Sequence, residues 1–407
     1  MNSQNILQQI NAEAKFIENS IGYQKTKIGT IPKDWKVKKL KDISNRVQRK
    51  NDGKSHNVLT ISSKGGFLNQ TERFSKVIAG ENLAKYILLR KNEFAYNKGN
   101  SKTYPYGCIY RLEDYEEALV PNVYYCFEIR EGVTEFYKHY FIAGKLNKFL
   151  ARVINTGVRN DGLLNLNVTD FFDVPVAAPP IKEQQKISSI LSTWDKAIEL
   201  KEKLIEQKKQ QKKGLMQKLL TGEVRLPGFY GEWEKVSFSD IFIKTKVKKH
   251  QIKTNEYLES GKYPVVDQGQ KKVTAYSNDE EKVFEVPETG VIVFGDHTRE
   301  IKFIDFDFII GADGTQVLMT KDDYDVRFYY YHLLIQKIPN TGYNRHFKFL
   351  KEMIFNKPSL KEQKAISNLL STIDKELDLL NAELSALNEQ KKGLMQLLLT
   401  GKVRVKV

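Results

Sequence analysis

One adjacent pair of side chains, Asp296 and His297, has the residue types that could perform acid–base chemistry or bind a metal ion. The pair directly follows an apolar run, Val291 to Phe294, that is typical of a buried strand. Catalytic and metal sites need a third group that converges on the same point, and no such group accompanies this pair in the sequence. We therefore interpret the segment as a loop in which His297, Thr298 and Arg299 contact a partner or maintain the shape of the loop.

Two further segments combine glycine with hydrogen-bonding side chains. Asn344, Arg345 and His346 lie in the segment TGYNRH, and Arg159 and Asn160 lie in NTGVRNDG. Both segments precede a proline-containing motif by a similar distance, so we expect the two loops to correspond. A structural turn explains the glycine in NTGVRNDG equally well.

An excess of basic residues restricts the kinds of partner. The chain has 65 Lys and Arg against 50 Asp and Glu, a formal net charge of +15 at pH 7. This excess favours an anionic partner, because each Lys or Arg placed against a phosphate releases counterions. A ribosomal or membrane-surface protein could have the same total charge. Here, however, basic residues alternate with Tyr and Asn, as in residues 90 to 104, which favours a folded domain that binds nucleic acid.

A third candidate loop follows the apolar stretch from Tyr86 to Leu89 and contains glycine. Asn and Ser side chains can contact base edges, Lys can contact guanine or phosphate, and Tyr can contact sugar or base. An ordinary surface turn is an equally good interpretation. The candidate DNA-binding residues of this loop are Tyr96, Asn97, Lys98, Asn100, Ser101 and Tyr104.

A long internal repeat indicates which elements position these loops. Residues 182 to 225 and 361 to 404 align without a gap at an offset of 179, and 24 of the 44 positions are identical. The start of each half is also similar, since IPKDW at 31 to 35 has a counterpart in LPGFYGEW at 226 to 233. The segments between these motifs are not similar. Similar segments on both sides of two dissimilar central segments suggest two domains that recognise different targets.

Both repeated segments have the hydrophobic spacing of coiled-coil helices, with apolar residues in steps of three and four. The spacing of Ser192 and Ser371 predicts that each long helix begins there after a shorter one. Gly222 and Gly401 are predicted to end the helices in a left-handed conformation. The apolar seam residues are Trp194, Ile198, Ile205, Leu215, Leu219, Ile373, Leu377, Leu380, Leu384, Leu387, Leu394 and Leu398.

The lysines at 208, 209, 212 and 213 admit two interpretations. They form either a solvated helix face or a surface for DNA phosphates or an acidic partner. Only Lys212 and Lys213 recur in the second copy, as Lys391 and Lys392, so only these two are candidates for a role that both halves share.

The IPKDW and LPGFYGEW starts, the PPIKEQ and PSLKEQ entries and the QKKGLMQ helix ends resemble the DNA-specificity subunit of type I restriction-modification enzymes. The resemblance covers nearly the whole chain. It implies an α+β protein in which two target-recognition domains of mixed α/β structure are separated by two long antiparallel coiled-coil helices. It also implies that each domain reads one half of a bipartite site in double-stranded DNA, and that the helices dock two methyltransferase subunits, which restriction subunits join.

This resemblance predicts the domain boundaries. Residues 1 to 180 form an N-terminal segment with the first target-recognition domain, and residues 181 to 225 form the central helix. Residues 226 to 357 form the second recognition domain, and residues 358 to 407 form the C-terminal helix.

Several motifs of catalytic subunits are missing from the sequence. It contains neither a GxxxxGK[ST] phosphate loop nor the Asn-Pro-Pro-aromatic motif of adenine methyltransferases. We therefore expect a non-catalytic subunit that binds no cofactor or metal, with S-adenosylmethionine, ATP and Mg²⁺ on its partners. Two cysteines outside any metal-binding motif, a polar N-terminus and the absence of an apolar run of roughly 20 residues predict a cytoplasmic protein without a membrane span.

Three other functions remain open from the sequence. A specificity module of a different DNA-modification system would have the same two readers. A non-catalytic coiled-coil scaffold would explain the helices, although it would not require dissimilar central segments between the repeated motifs. A nuclease that acts alone would need a metal-binding cluster of carboxylates and lysine, and acidic residues are scattered through the chain.

Overall fold

The computed structural model describes residues 22–62, 66–70, 80–99, 103–154, 163–311, 313–342 and 344–407. The chain forms two compact units, and each unit contains part of both repeated segments. Unit 1 consists of Met1–Lys201 and Leu384–Val407, and unit 2 consists of Glu202–Glu383. The finer division at residues 180, 225 and 357 stays a prediction.

Unit 1 contains twelve described strands and four short helices, followed by the start of a long helix. The strands are β1 (Tyr23–Thr26), β2 (Gly29–Pro32), β3 (Lys36–Lys39), β4 (Ser44–Val47), β5 (Asn57–Ile61), β6 (Phe67–Asn69), β7 (Ile87–Arg90), β8 (Phe94–Asn97), β9 (Cys108–Arg111), β10 (Glu117–Val120), β11 (Tyr125–Ile129) and β12 (Pro175–Ala178). The helices are α1 (Leu40–Ile43), α2 (Thr134–Ile142), α3 (Asn147–Val153), α4 (Val168–Phe172) and the long α5 (Ile181–Thr221), with a 3₁₀ helix at Gly80–Lys85.

Unit 2 contains the end of α5, eleven described strands, three short helices and most of a second long helix. The strands are β13 (Glu234–Ser237), β14 (Phe242–Lys244), β15 (Gln251–Ile252), β16 (Tyr263–Val266), β17 (Ala275–Ser277), β18 (Val283–Phe284), β19 (Val291–Gly295), β20 (Ile301–Ile304), β21 (Phe308–Gly311), β22 (Thr315–Thr320) and β23 (Ile354–Lys357). The helices are α6 (Phe238–Ile241), α7 (Val326–Ile335), α8 (Phe347–Lys351) and the long α9 (Leu360–Leu398), with 3₁₀ helices at Lys248–His250, Thr254–Glu256 and Glu280–Lys282.

The two units share one sheet plan although their middles differ in sequence. A sheet of order β4-β11-β8-β9 in unit 1 corresponds to β14-β22-β19-β20 in unit 2. A second sheet, β6-β5-β10-β7, corresponds to β17-β16-β21-β18, and in unit 2 the strand β15 also pairs with β21. The pair β12-β3 corresponds to β23-β13. The mixture of helices and strands confirms the predicted α+β class.

The central strand β19 shows why the middle of unit 2 folds in this way. All five residues of β19 are buried, and it pairs with β20 on one side and β22 on the other. A run of β-branched and aromatic residues suits such a strand, because both of its faces pack against apolar neighbours. Phe294 packs in a core with Phe242, Tyr329 and Phe355, and all four rings are at most 5% exposed.

The predicted helix starts at Ser192 and Ser371 are wrong. Both residues lie inside continuous helices, of 41 residues for α5 and 39 for α9. The hydroxyls near these positions bond to carbonyls of the preceding turn, as Thr193 Oγ1 does to Ser189 O (2.9 Å) and Thr372 Oγ1 to Asn368 O (2.8 Å). Ser and Thr can make this bond within a helix, so the capping-box spacing does not by itself mark a helix start.

Within each unit the two long-helix segments run antiparallel. In unit 1, Lys391 pairs with Asp195, and Arg404, further along the chain, pairs with the earlier residue Glu183. In unit 2, Lys208 pairs with Glu376, and Lys212 pairs with Asp374. All twelve predicted seam residues are buried or half-buried.

Gly222 directly follows α5, and Gly401 comes after the end of α9 at Leu398. Their φ values of +77° and +68° are the left-handed conformation that the sequence predicts. A Cβ at Gly401 would lie 2.4 Å from Pro32 Cδ. We therefore expect Gly401→Ala to lower the free energy of unfolding of unit 1 by about 2 kcal/mol, from left-handed strain and this overlap. Gly393 is the matched control, because it lies within α9 with no atom within 4 Å of an added Cβ. Gly393→Ala should stabilise the protein by up to about 1 kcal/mol. Equal shifts of both variants in thermal unfolding would contradict this account.

Candidate nucleic-acid interface

In unit 2, Asp296 joins two of the predicted contact segments. The carbonyl oxygen of Asp296 accepts hydrogen bonds from His346 N (2.8 Å) and from His346 Nδ1 (2.9 Å). The carboxylate atom Asp296 Oδ1 accepts one from Phe347 N (2.7 Å), at the start of α8. The loop after β19 and the loop before α8, which are far apart in sequence, therefore form one surface.

The side chains of this surface divide into exposed and buried groups. Thr298, Asn344 and Arg345 are exposed. Arg299 is half-buried, with a positive φ of +64°, and its Nη1 donates to Ile338 O (3.3 Å). A non-glycine residue rarely adopts such a φ, so this turn is held in shape by its surroundings. Of the exposed three, Thr298 donates through Oγ1 to Gln268 O (2.5 Å), and Asn344 donates through Nδ2 to Thr341 O. Arg345 and the remaining polar positions of the Asn344 amide are therefore the groups of these segments that are placed to contact an external ligand.

Three unit 2 residues named above have structural roles instead. His346 is 0% exposed and its imidazole bonds to Asp296, so its selection as a DNA contact is corrected. Asp296 is 2% exposed, and its carboxylate binds the backbone at Phe347. His297 is half-buried, and its backbone N–H donates to Gln268 Oε1. The adjacent Asp and His residues are therefore loop supports, which agrees with the rejection of a catalytic pair.

Tyr96 in unit 1 is also corrected. Its ring is 0% exposed and stacks on Phe171 with centroids 4.6 Å apart, and its hydroxyl donates to Tyr106 O (2.8 Å). Burial raises the pKa of the Tyr96 hydroxyl above its usual range. Tyr96 is thus a core residue that cannot reach a DNA base in this fold.

The other residues of that loop are half-buried, buried or outside the described part. Asn97 Oδ1 accepts from Gly99 N (2.9 Å), which closes a tight turn. Lys98 is 9% exposed, with its ammonium 5.1 Å from the centre of the Tyr125 ring. Tyr104 is half-buried, and its hydroxyl lies 2.7 Å from that of Tyr110. Four predicted contacts lie outside the described residues: Asn100, Ser101, Arg159 and Asn160.

Unit 1 joins the same two loops as unit 2. Gly99, after β8, forms a bridge with Leu163, and Leu164 N donates to Lys98 O (2.8 Å). Strand β8 corresponds to β19, and the segment that contains Leu163 precedes α4 as the TGYNRH loop precedes α8. Each unit therefore brings a loop after a buried strand against a loop before a short helix.

The repeated Glu of the KEQ motif accepts hydrogen bonds from a Trp and an Arg that are distant in the sequence. Glu183 is 1% exposed and accepts hydrogen bonds from Trp35 Nε1 (2.8 Å) and from Arg404 Nε (2.7 Å) and Nη2 (2.9 Å). In unit 2, Glu362 accepts from Trp233 and Arg225 in the same way. The signal was the recurrence of Trp, Glu and Arg in both halves. Their meeting depends on the fold, because they are far apart in the chain.

The repeated Gln of the motif connects each long helix to its recognition domain. Gln184 Nε2 donates to Pro179 O (2.8 Å), and its Oε1 accepts from Val133 N (2.8 Å), where α2 begins. Gln363 makes the same two bonds to Pro358 O and Asp325 N. Each Gln thereby fixes a helix of the domain against the long helix.

The repeated lysines form ion pairs between the long helices. Lys212 pairs with Asp374, whose carboxylate also accepts from the Tyr331 hydroxyl (2.6 Å). In unit 1, Lys391 pairs with Asp195. The role that Lys212 shares with its counterpart is therefore an ion pair inside each unit. Lys209 and Lys213 are exposed.

One group among the described residues could hold a metal ion. Ligand atoms of Asp52, His56 and Glu117 lie within 4.8 Å of one another. These side chains already form ion pairs or hydrogen bonds, since Asp52 bonds to His56 (2.7 Å) and Glu117 to Arg90 (3.0 Å). Hydrogen bonds from the backbone of Lys54 and from His56 hold the pKa of Asp52 at about 2. We interpret the group as a surface ion-pair cluster. None of the helices in the described ranges has the length and apolar content of a membrane span.

Each unit contains helices and strands and has loops with basic and amide side chains, and long helices belong to both units. These features are those of a DNA-binding subunit with two recognition domains. The family model of the type I restriction modification DNA specificity domain matches residues 32–210 and 230–389. The chain belongs to this family, as the sequence resemblance predicted. It is a specificity subunit of a type I restriction-modification system, a non-catalytic component that binds DNA and assembles with other subunits.

Relatives in Methanocaldococcus jannaschii support this membership. One, which carries the provisional name type I restriction enzyme MjaX specificity subunit, is 26% identical over 418 residues, covering 94% of this chain and 97% of the relative. The type I restriction enzyme MjaVIII specificity subunit is 26% identical over 289 residues, covering 62% of this chain and 68% of the relative.

Solved structures show the same fold. The S subunit of a type I restriction-modification system from M. genitalium has a TM-score of 0.59 at 16% identity, with 95% of this chain and 98% of that chain covered. A chain from a study of complex assembly and conformational transition of the type I system has a TM-score of 0.53 at 15% identity, with 91% and 99% covered.

Proposed function

We propose that unit 1 reads one half of a bipartite site in double-stranded DNA and that unit 2 reads the other half. The observation that carries this proposal is the repeated joining of two loops, through Lys98 and Leu164 in unit 1 and through Asp296 and His346 in unit 2. The sheets of the two units correspond, whereas the sequences of their loops differ. Equivalent positions with different side chains suit two half-sites of different sequence.

Residue chemistry supports contacts with both bases and phosphates. Asn344 offers its amide oxygen and the N–H that is not donated to Thr341 O, which can pair with adenine. Arg345 offers a guanidinium that can pair with guanine or a phosphate. Both are exposed in unit 2. The net charge of +15 adds a sequence-independent attraction that weakens with salt.

We further propose that each repeat docks one methyltransferase subunit, and that restriction subunits join this complex. Leu200 and Leu379 support two equivalent docking positions, since they are 179 residues apart in the aligned repeats and are 52% and 61% exposed. S-adenosylmethionine, ATP and Mg²⁺ would then bind to these partners, which carry out the chemistry. A cytoplasmic location is part of the proposal and is checked by cell fractionation.

An aspartate at one of these leucines should remove one docking position. We expect Leu379→Asp to reduce the bound methyltransferase from two subunits to one, because burying a carboxylate in an apolar contact is unfavourable. The double variant with Leu200→Asp should bind none. Native mass spectrometry of the purified complex measures the stoichiometry. Ile354→Asp is the matched control, because Ile354 is also 61% exposed but lies on β23 outside the long helices. Two bound subunits in the Leu379→Asp complex would refute this docking position.

Methylome sequencing tests the proposed function as a whole. Cells that express this chain with a type I methyltransferase subunit are compared with cells that express the methyltransferase alone. A new adenine-methylation motif with two short defined parts around a fixed gap is the expected result. A stable complex that produces no new motif would favour a scaffold, and a continuous motif would show that only one unit reads DNA.

A further inference from the structure

The segment from Asp267 to Thr274 in unit 2 adjoins the loop after β19. Gln268 makes three hydrogen bonds to neighbouring loops. Its Oε1 accepts from His297 N (3.2 Å), its Nε2 donates to Asp313 O (3.0 Å), and its backbone oxygen accepts from Thr298 Oγ1 (2.5 Å). One side chain and its backbone thus connect the loops after β16, β19 and β21.

Two glycines provide the space for this side chain. A Cβ at Gly295 would lie 2.9 Å from Gln268 Cβ, and a Cβ at Gly314 would lie 2.9 Å from Gln268 Oε1. Both distances are too short for real atoms. Gly314 also has a φ of +88°, which L side chains rarely adopt. The close packing of the three loops around Gln268 therefore requires these two glycines.

The segment also has internal bonds that fix its shape. Asp267 Oδ1 accepts from Gly269 N (2.8 Å) and Thr274 Oγ1 (2.6 Å), which closes a turn at each end. The ammonium of Lys302, a residue that is 7% exposed, donates to Asp267 O (2.8 Å) and Lys271 O (2.5 Å). Burial lowers the pKa of Lys302. A buried cation that binds two loop carbonyls restrains the backbone between them.

Three polar side chains extend from this fixed segment into solvent: Gln270, Lys271 and Lys272. Lys272 already has partners, because its ammonium lies 3.4 Å from Asp305 and above the Phe306 ring. Within the described part of the chain, Lys271 forms no ion pair and Gln270 makes no side-chain hydrogen bond. A glutamine amide matches the major-groove edge of adenine, and a lysine ammonium matches a phosphate.

We propose that residues 267 to 274 form a third DNA-contacting loop of unit 2, in which Gln270 contacts a base edge, Lys271 contacts a phosphate and Gln268 is a positioning residue. The inference rests on the proposed function, because it assigns further contacts to the domain that reads the second half-site. It adds a segment separate in sequence from both the loop after β19 and the loop before α8.

The test uses the full chain in complex with its methyltransferase subunit. Gln270→Ala should reduce discrimination at one base position of one half-site by about 5- to 150-fold, the range for a lost bidentate base contact. Gln268→Ala should relax the same half-site at more than one position, because it loosens three loops. The half-site read by unit 1 is an internal control and should not change in either variant.

Lys271→Ala should weaken binding to all sequences alike and reduce the salt-dependence slope by about one. Lys262→Ala is its matched control, since Lys262 is exposed and lies at the opposite end of β16. DNA-binding titrations at several salt concentrations measure the slope, and methylome sequencing measures base preference. Thermal unfolding shows whether Gln270→Ala and Lys271→Ala, both at exposed positions, retain the fold.

The Gln270→Ala and Gln268→Ala variants could methylate an unchanged motif, and Lys271→Ala could have an unchanged salt slope. These results together would contradict the proposal that residues 267 to 274 contact DNA. Failure of the proposed function looks different, because the wild-type complex itself would then produce no bipartite motif.

Discussion

Replacement of Glu183 by alanine is expected to lower the free energy of unfolding of unit 1 by about 3 kcal/mol. Glu183 accepts hydrogen bonds from Trp35 Nε1 and from two guanidinium nitrogens of Arg404 while only 1% exposed. The variant would leave an indole N–H and a cation in a nearly water-free site with fewer partners. Asp34, which also pairs with Arg404 at 2.7 Å, limits the loss.

Differential scanning calorimetry measures this effect as a lower melting temperature for unit 1, by about 6 to 12 °C. Gln185→Ala is the matched control, because Gln185 lies in unit 1 on the same helix but is exposed, and its effect should stay within about 0.5 kcal/mol. Glu362→Ala in unit 2 should have a smaller effect than Glu183→Ala. The side chain of its partner Arg225 is 24% exposed, against 11% for Arg404, so water can replace more of the lost bonds.

A double-mutant cycle with Arg404→Ala separates the pair from its neighbours. The two single variants should each be destabilised, and the double variant should lose much less than their sum, because it removes both members of the Glu183–Arg404 pair together. Strict additivity, or a Glu183→Ala protein that melts with the wild type, would show that this buried group does not stabilise unit 1.

Asp296→Ala is expected to abolish discrimination at the half-site read by unit 2 while the other half-site stays intact. The carboxylate of Asp296 binds Phe347 N, and its backbone oxygen binds His346, so the residue holds two contact loops together. Loss of the carboxylate also removes a cap from α8, at a cost of about 1 kcal/mol. We expect a large loss of base discrimination at the second half-site and only a small loss in the free energy of unfolding, because Arg345 and Asn344 lie directly before this cap.

A conservative variant distinguishes positioning from a role of the charge. Asp296→Asn keeps an oxygen that can accept from Phe347 N, so we expect it to read the second half-site nearly as well as the wild type. Asp322→Ala, an exposed change in the turn after β22, should change neither half-site. Methylome sequencing compares all three variants. Equal loss at both half-sites, or an Asp296→Asn protein as defective as Asp296→Ala, would contradict a positioning role.

Repetition in the chain was enough to predict the frame of this protein. The KEQ and QKKGLMQ motifs predicted two long helices with an apolar seam, and the helices α5 and α9 lie where the repeats do. The helix starts at Ser192 and Ser371 were predicted wrongly. Ser371 bonds back to Asn368 O in the preceding turn, and Ser192 donates to Glu135 on another helix. A serine that caps a helix has the same local sequence as a serine in either of these roles, and only the path of the backbone distinguishes them.

Burial was the main obstacle to predicting the contact residues. Tyr96 and His346 have suitable chemistry for DNA, yet both are 0% exposed. Gln268 was overlooked, because nothing near it in the sequence indicates that it bonds to loops about 30 and 45 residues away. Polar residues in a loop look alike in sequence whether they face solvent or bind another loop.

The sequence by itself determined the duplication, the two unlike middles, the helical seam and the family. These follow from residue identity at a fixed offset and from hydrophobic period, which are local properties of the chain. Only the tertiary structure decided that Glu183 meets Trp35 and Arg404, 148 and 221 residues away, and that Asp296 joins two loops 50 residues apart. The physical reason is that the energy of a buried polar group depends on its partners in space, and the fold alone brings those partners together.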